Sequence, residues 1–294
     1  MNLELRQLRY FVAVAEELHF GRAAARLHMT QPPLSQAIQG LEELLGAALF
    51  ERDRRSVLLT HAGAALLPEA RRLLAQAADL PELVRAAAAG ETGRIALGFV
   101  SSADYSLLPP FLRNYRAAFP QVQIGLQEAT TDVQIEDLLH QRIDAGLVIP
   151  PLSERARAEL DYMKLLEEAL VLAVPAGLTA EAPLSLRDAP RLPLIIFPRL
   201  IAPALYDAIL GCFTAAGLTP EIGQQAIQMQ TIVSLVSAGM GLALVPQSLS
   251  NLRRPGVDYR PLLDATPLVE TGCAWRRDNT SPVLHGFLAL LKKI

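Results

Sequence analysis

The order of apolar and polar positions divides the chain into three stretches. In the first, Leu8, Phe11, Val12, Ala15 and Leu18 repeat at helical spacing. A short helix is predicted from Arg22 to Leu27, with His28-Met29-Thr30 as a turn. Thr30 or Gln31 then opens a third helix, with Pro32 in its first turn, where a missing N–H is tolerated. Leu34, Ile38, Leu41 and Leu45 give that helix one apolar face, and Gly46 ends it. Leu49–Glu51 and Val57–Leu59 read as two short strands around Arg52-Asp53-Arg54-Arg55-Ser56.

The second stretch begins at Thr60, a good N-cap. Leu66, Ala70, Leu73, Ala77, Leu80, Val84 and Ala87 alternate steps of four and three, the 3.5-residue period of a helix–helix seam. Packing of this helix on its own domain is the alternative. Pro68 and Pro81 should bend it, and Gly90-Glu91-Thr92-Gly93 is expected to be a flexible link. The domain limits predicted are 1–59, 60–90 and 91–294.

Beyond the link, strands and helices alternate. Strands are predicted at Ile95–Val100, Val122–Glu128, Ala145–Ile149, Leu170–Pro175, Leu194–Phe197, Glu221–Ala226, Leu242–Val245 and Val269–Trp275. Helices fall between several of them, and Pro282–Lys293 forms the last. Such alternation implies α/β architecture with largely parallel sheets. Two hundred residues is large for one sheet, so two similar lobes with a cleft between them are expected. Lobe I takes about 91–164 and 267–294, and lobe II about 165–266.

Composition narrows the function classes. The 294 residues suit two domains, three at most. At 51% hydrophobic and 19% charged they exclude a disordered chain. No apolar run reaches the roughly 20 residues of a membrane span, so no membrane partner is expected. The charged start Met1-Asn2-Leu3-Glu4-Leu5-Arg6 is unlike a signal peptide, which points to the cytoplasm. Two cysteines, Cys212 and Cys273, exclude a disulfide scaffold or zinc finger. They read as buried apolar residues, with a redox-sensing pair as the alternative. The net charge of −3 argues against bulk nucleic-acid coating.

A local DNA-binding surface remains compatible with that charge. Residues 20–39 fit a helix-turn-helix, with Ala24 allowing close helix approach and Leu27, Met29, Leu34 and Ile38 wedged between the helices. The exposed start of the second helix would carry Thr30, Gln31, Pro32, Ser35, Gln36 and Gln39. Glutamine pairs bidentately with adenine in the major groove, and N–H groups beside Thr30 suit a phosphate. Arg52, Arg54 and Arg55 in the hairpin suit the phosphate backbone or minor groove. Residues 1–59 hold seven basic and seven acidic side chains, so the placement of charge must do the work. A dimer would double the contacts and read two half-sites. An ordinary three-helix core with a polar outer face is the alternative.

Taken together, Leu5-Arg6-Gln7-Leu8-Arg9-Tyr10-Phe11, Arg22-Ala23-Ala24-Ala25-Arg26-Leu27, Gln31-Pro32-Pro33-Leu34-Ser35 and Leu59-Thr60-His61-Ala62-Gly63 resemble the LysR-type transcriptional regulators. The resemblance spans the chain. It implies an α+β multidomain protein: an N-terminal winged helix-turn-helix, a dimerising linker helix and a C-terminal two-lobed effector domain of periplasmic-binding-protein type. It implies homodimers assembling into homotetramers on double-stranded promoter DNA, with RNA polymerase as a further partner. Phe99-Val100-Ser101-Ser102 and Ile196-Phe197-Pro198-Arg199 are similar to the regulators of benzoate, chlorocatechol and phenylpropionate catabolism. Two positions depart from the family pattern. Gln36 stands where many members place arginine, which bears on operator preference. Ile149 stands where some muconate-responsive members carry arginine, which speaks against a dicarboxylate effector.

Ligands of open α/β sheets bind beyond the carboxyl ends of strands. Ser101 and Ser102, Thr130 and Thr131, Phe197 with Arg199, and Gln228 lie at four such ends. Hydroxyls beside helix N-termini suit an anion, Arg199 would pair a carboxylate, and Phe197 would supply an apolar wall. A small-molecule effector, a carboxylate or aromatic acid, is therefore expected. The alternatives are that these Ser and Thr side chains only cap helices, and that Arg199 lies on the surface.

No enzyme signature competes. The five histidines show no HExxH spacing, there is no GxSxG elbow or Walker loop, and Gly239-Met240-Gly241 is a fragment of a glycine-rich loop. No metal or cofactor is expected. A solute-binding protein or a small-molecule-binding α/β enzyme would leave the first 90 residues unexplained.

Overall fold

The computed structural model describes residues 2–52, 56–179 and 183–293. The chain divides into two compact units, Met1–Arg85 and Ala86–Ile294.

In the first unit, α1 (Leu5–Glu17), α2 (Phe20–Arg26) and α3 (Gln31–Leu45) precede strands β1 (Phe50–Arg52) and β2 (Val57–Leu59), and α4 (His61–Ala88) follows. The apolar faces read from the sequence close on one another: Leu8, Phe11, Val14, Phe20, Leu34, Ile38, Leu41 and Phe50 share one core. Phe50 is the keystone, its ring 5.4 Å from Phe11 and 5.9 Å from Phe20. Gly46 ends α3 in the left-handed conformation, φ 67°, a geometry that glycine adopts without strain. His19 caps α2, its Nδ1 accepting from the N–H groups of Gly21 and Arg22.

The β1–β2 hairpin is antiparallel, with Phe50 opposite Leu59. Two contacts seat it. The Glu42 carboxylate accepts from the N–H groups of Leu49 and Phe50. The Thr60 hydroxyl donates to the Ala48 carbonyl and accepts from Gly63 N–H, so Thr60 is the expected N-cap. Gly63 packs so closely that a Cβ there would enter the envelope of the Leu49 carbonyl.

Helix α4 continues through both prolines. Its stripe divides in two. Ala70 is fully buried in the unit's own core, with Leu66, Leu67 and Leu74 packed against that core. Leu73, Leu80, Leu83 and Val84 are exposed. Residue 90 is no flexible link: Gly90 is buried at φ 73°, against the backbone of Pro282.

The second unit begins with β3 (Thr92–Phe99), a 3-10 turn (Ser101–Tyr105), α5 (Leu108–Ala118), β4 (Gln121–Glu128), α6 (Thr131–Leu139), β5 (Ala145–Val148), α7 (Glu154–Glu159) and β6 (Leu160–Glu168). The chain then passes to β7 (Leu170–Pro175), β8 (Leu194–Ile196), α8 (Pro203–Ala215), β9 (Ile222–Gln225), α9 (Met229–Ser237), β10 (Ala243–Pro246), a 3-10 turn (Gln247–Leu252) and β11 (Val257–Pro261). It returns as β12 (Val269–Arg276) and α10 (Pro282–Leu291).

Lobe I is a five-stranded sheet in the order β4-β3-β5-β12-β6; lobe II holds the sheets β10-β7-β11 and β8-β9. The expectation of largely parallel sheets holds for β4-β3-β5 and β8-β9, and fails for the rest. Strand β12 is antiparallel to β5 and β6, and β7 is antiparallel to β10 and β11. The reason is the two-lobed path: β12 arrives from the other lobe and can run against β5 without a crossover helix.

The two crossings lie side by side, with Glu168 opposite Val269. There Leu170 N–H donates to Thr266 Oγ1, and Gln247 N–H to the Ala169 carbonyl. The Glu168 carboxylate accepts from Ser248 N–H at 2.6 Å and from its hydroxyl at 3.0 Å. Away from the crossings, Asn251 Nδ2 of lobe II donates to the Tyr105 carbonyl of lobe I at 2.9 Å.

Candidate nucleic-acid interface and effector cleft

Helix α3 separates its two roles by face. Leu34, Ile38 and Leu41 are buried, while Thr30, Gln31, Pro32, Gln36 and Gln39 are exposed and Ser35 is half-buried. Spacing of three and four residues puts these polar groups on the side opposite the core. The Thr30 side chain makes no capping hydrogen bond, although its backbone is extended as an N-cap requires. The first-turn N–H groups of α3 are thus left without a side-chain cap from Thr30. Arg52 closes β1; Arg54 and Arg55 lie outside the described residues.

Behind this face, Glu16 of α1 ties two other elements together. Its carboxylate pairs with Arg26 of α2 at 2.7 Å and Arg71 of α4 at 2.8 Å. The hydrogen bonds from Arg71 and then Arg26 hold the Glu16 carboxyl below its ordinary range. Arg22 is engaged with Glu17. The basic groups of α2 therefore serve the fold of the unit itself.

In the second unit, the ends of β3, β4 and β8 and the start of α9 meet around a cavity of about 60 Å³. Ser101, Ser102, Thr130, Thr131, Phe197 and Gln228 all line it, together with Val100, Ala129, Ile149, Ile201, Ala202, Leu205, Ile227 and Met229. No ionisable side chain is among them. Three helix N-termini, those of α6, α8 and α9, converge here.

The capping alternative is answered by the hydrogen bonds. Thr130 and Gln228 stand as N-caps of α6 and α9, yet neither side chain caps its helix. The Thr131 hydroxyl accepts from Ile149 N–H at 3.0 Å, fastening α6 to the end of β5. Ser102 is 3% exposed, and its hydroxyl has no hydrogen-bond partner among the described residues. A buried hydroxyl left unpaired is disfavoured by about 1–3 kcal/mol, so Ser102 is a strained point in the wall of this cavity.

Arg199 does not take the expected place. Its guanidinium forms a bidentate pair with Asp207 at 2.6–2.7 Å on the surface, and it lines neither the cavity nor the groove beside it. Asp207 sits on the neighbouring helix α8, and a fork-on-carboxylate pair is the best geometry arginine can find.

Sequence reading also missed a groove of about 950 Å³ that adjoins the cavity. It runs between α6, the segment 149–153 and the segment 200–205. Its walls come from ordinary apolar residues such as Val133, Pro150, Pro151 and Leu200, which carry no signal of their own. Their meeting depends on how the lobes face each other.

The cysteines lie in separate cores, Cys212 in lobe II and Cys273 in lobe I. Burial raises both thiols, Cys273 to about 12. A thiol kept protonated is a poor nucleophile. Among the described residues no cluster of His, Cys, Asp or Glu is arranged to hold a metal, and no helix is long and apolar enough to cross a membrane.

Comparison with known proteins extends these observations to the whole chain. Residues 5–64 match the family described as "Bacterial regulatory helix-turn-helix protein, lysR family", and residues 88–294 match the LysR substrate binding domain. The regulator IlvR of Caulobacter vibrioides is 50% identical over 98% of this chain and 97% of its own length. AlsR of Bacillus subtilis is 41% identical over 97% and 94%. Among solved structures, full-length CbnR complexed with its target DNA superposes with a TM-score of 0.84 at 31% identity, covering 99% of each chain. The chain belongs to the LysR-type family: it is a DNA-binding transcriptional regulator with a C-terminal effector-binding domain, and not an enzyme.

Proposed function

We propose that Thr30, Gln31, Pro32, Ser35, Gln36 and Gln39 of α3 enter the major groove of promoter DNA. In this reading Arg52, Arg54 and Arg55 contact the flanking backbone. The observation that carries it is the division of α3 into a buried Leu34–Ile38–Leu41 face and an exposed hydroxyl-and-amide face. The likeness to full-length CbnR, solved with its target DNA, supports a DNA-binding use of the chain.

The domains act as a DNA-binding unit over 1–59, a dimerising helix over 60–90 and an effector unit over 91–294. The exposed stripe Leu73, Leu80 and Val84 pairs two protomers, which then combine as a tetramer. A small carboxylate or aromatic acid binds among Ser101, Ser102, Thr130, Thr131, Phe197 and Gln228 and favours one arrangement of the lobes. That preference alters the spacing of paired reading helices, and with it DNA bending and contact with RNA polymerase. The effector must bind one arrangement better than the other, or nothing shifts.

Hydroxyl-radical footprinting on the DNA upstream of the protein's own gene tests this reading. Two protected patches about one helical turn apart, or a multiple of it, are expected. Uniform, sequence-independent protection would contradict it.

A further inference from the structure

We propose that Tyr105 is a positioning residue for the effector cavity: a lobe I side chain that anchors in lobe II and sets the spacing of the cavity's two walls. The proposal rests on the cleft reading above and adds what holds the cleft at its width.

Placement in the chain is the first argument. Tyr105 ends the 3-10 turn Ser101–Tyr105, whose first residues, Ser101 and Ser102, wall the cavity from lobe I. Gln228 and Met229, at the start of α9, wall it from lobe II. One short turn of lobe I thus carries a cavity wall at its start and Tyr105 at its end.

Contact is the second argument. Tyr105 belongs to lobe I by sequence, yet its half-buried ring packs against the core of lobe II. Its hydroxyl stands beside the side chain of Gln230, the residue after Met229, and burial pushes that hydroxyl up to about 12. Its carbonyl accepts from Asn251 Nδ2 at 2.9 Å. Asn251 lies in the other 3-10 turn, Gln247–Leu252, and that turn is fixed to lobe II at two points. Leu249 is fully buried in the lobe II core, and Ser248 is bonded through its N–H and hydroxyl to Glu168 at the strand crossing. Tyr105 therefore holds a turn that is itself tied to the crossing. To part at the cavity, the lobes must lift the ring off lobe II and break the Asn251 bond.

Spin labels at Glu154→Cys in lobe I and Met240→Cys in lobe II read the lobe spacing. Both positions are exposed. Both also lie away from the crossing, since β6 runs from α7 to Glu168, and β10 leaves Met240 before Pro246 meets Leu170. Cys212 and Cys273 are buried and stay unlabelled. Double electron–electron resonance on the full-length protein, diluted with unlabelled chains and without any ligand, should give one narrow distance. Tyr105→Ala removes a half-buried ring and should raise the share of a wider-spaced population about 5-fold. Asn251→Ala removes one hydrogen bond and should raise it about 2- to 12-fold. The two together should exceed either alone. Tyr105→Phe keeps the ring and should stay close to the parent. A residue that only stabilises the fold would lower the melting temperature and leave the distance alone. The parental distance in Tyr105→Ala and in the combined variant would overturn the proposal, as would a Tyr105→Phe protein as widely spaced as Tyr105→Ala. Because no ligand takes part, either result leaves the cleft reading standing.

Discussion

Replacing Leu80 with aspartate asks whether the outer stripe of α4 is a seam between protomers. Leu73, Leu80 and Val84 are 37, 56 and 62% exposed on one face of the helix. Full burial of a leucine or valine contributes roughly 2 kcal/mol, so the exposed part of Leu80 accounts for about 1 kcal/mol in each protomer. A two-fold axis counts it twice. Two aspartates facing each other at about 4 Å add about 1 kcal/mol of repulsion in water-like surroundings. The dimer should weaken by about 3 kcal/mol, or 100- to 200-fold in dissociation constant. Sedimentation equilibrium over a concentration series measures this, with circular dichroism to verify that the exposed substitution leaves the fold intact. An L80D protein that self-associates like the parent would refute the reasoning. The same arithmetic gives the three-residue stripe of a symmetric pair roughly 6 kcal/mol. That is near the low end of the ~4–15 kcal/mol that association opposes, so the assembly must draw on further surface outside α4.

Two further outcomes follow from burial. Cys212 and Cys273 should resist iodoacetamide in the native protein at neutral pH and react once it is unfolded, because burial raises both thiols, Cys273 to about 12; rapid native labelling would revive a redox-sensing role. Glu168 carries a carboxyl raised above 4.5, chiefly by desolvation and against the two Ser248 hydrogen bonds. A carboxyl raised in the folded state contributes stability at low pH that is lost as pH climbs through the raised value. Thermal melts from pH 4 upward should therefore show a declining limb that Glu168→Gln flattens, and an unchanged limb in the variant would remove this assignment.

Helix α3 was legible because its two faces differ in kind. Leu34, Ile38 and Leu41 repeat at helical spacing, Gly46 marks the end, and the amides fall between. The cleft was legible for a related reason: strand ends in α/β sheets gather ligands, and six of the seven residues placed there line one cavity. Arg199 failed because a carboxylate on the next helix, Asp207, captures it, a competition that strand-end rules do not weigh. Strand β6 was not anticipated. Leu160–Glu168 alternates poorly and is rich in charge, and only its pairing with β12, a hundred residues on, makes it a strand. Gly90 is fixed likewise, by the backbone of Pro282 nearly two hundred residues on. Local pattern determines the elements; contacts between distant segments determine direction, the groove and which polar groups stay unpaired.

The exposed face of α3 is proposed to read base edges. Fluorescence anisotropy on the protein's own upstream DNA, comparing the parent with Gln31→Ala and Gln36→Ala, tests it most directly. Loss of one bidentate glutamine contact should reduce discrimination between the site and a scrambled sequence by about 1–3 kcal/mol, roughly 5- to 150-fold. Binding to the scrambled DNA should stay unchanged. Parental affinity and selectivity in both variants would contradict the claim.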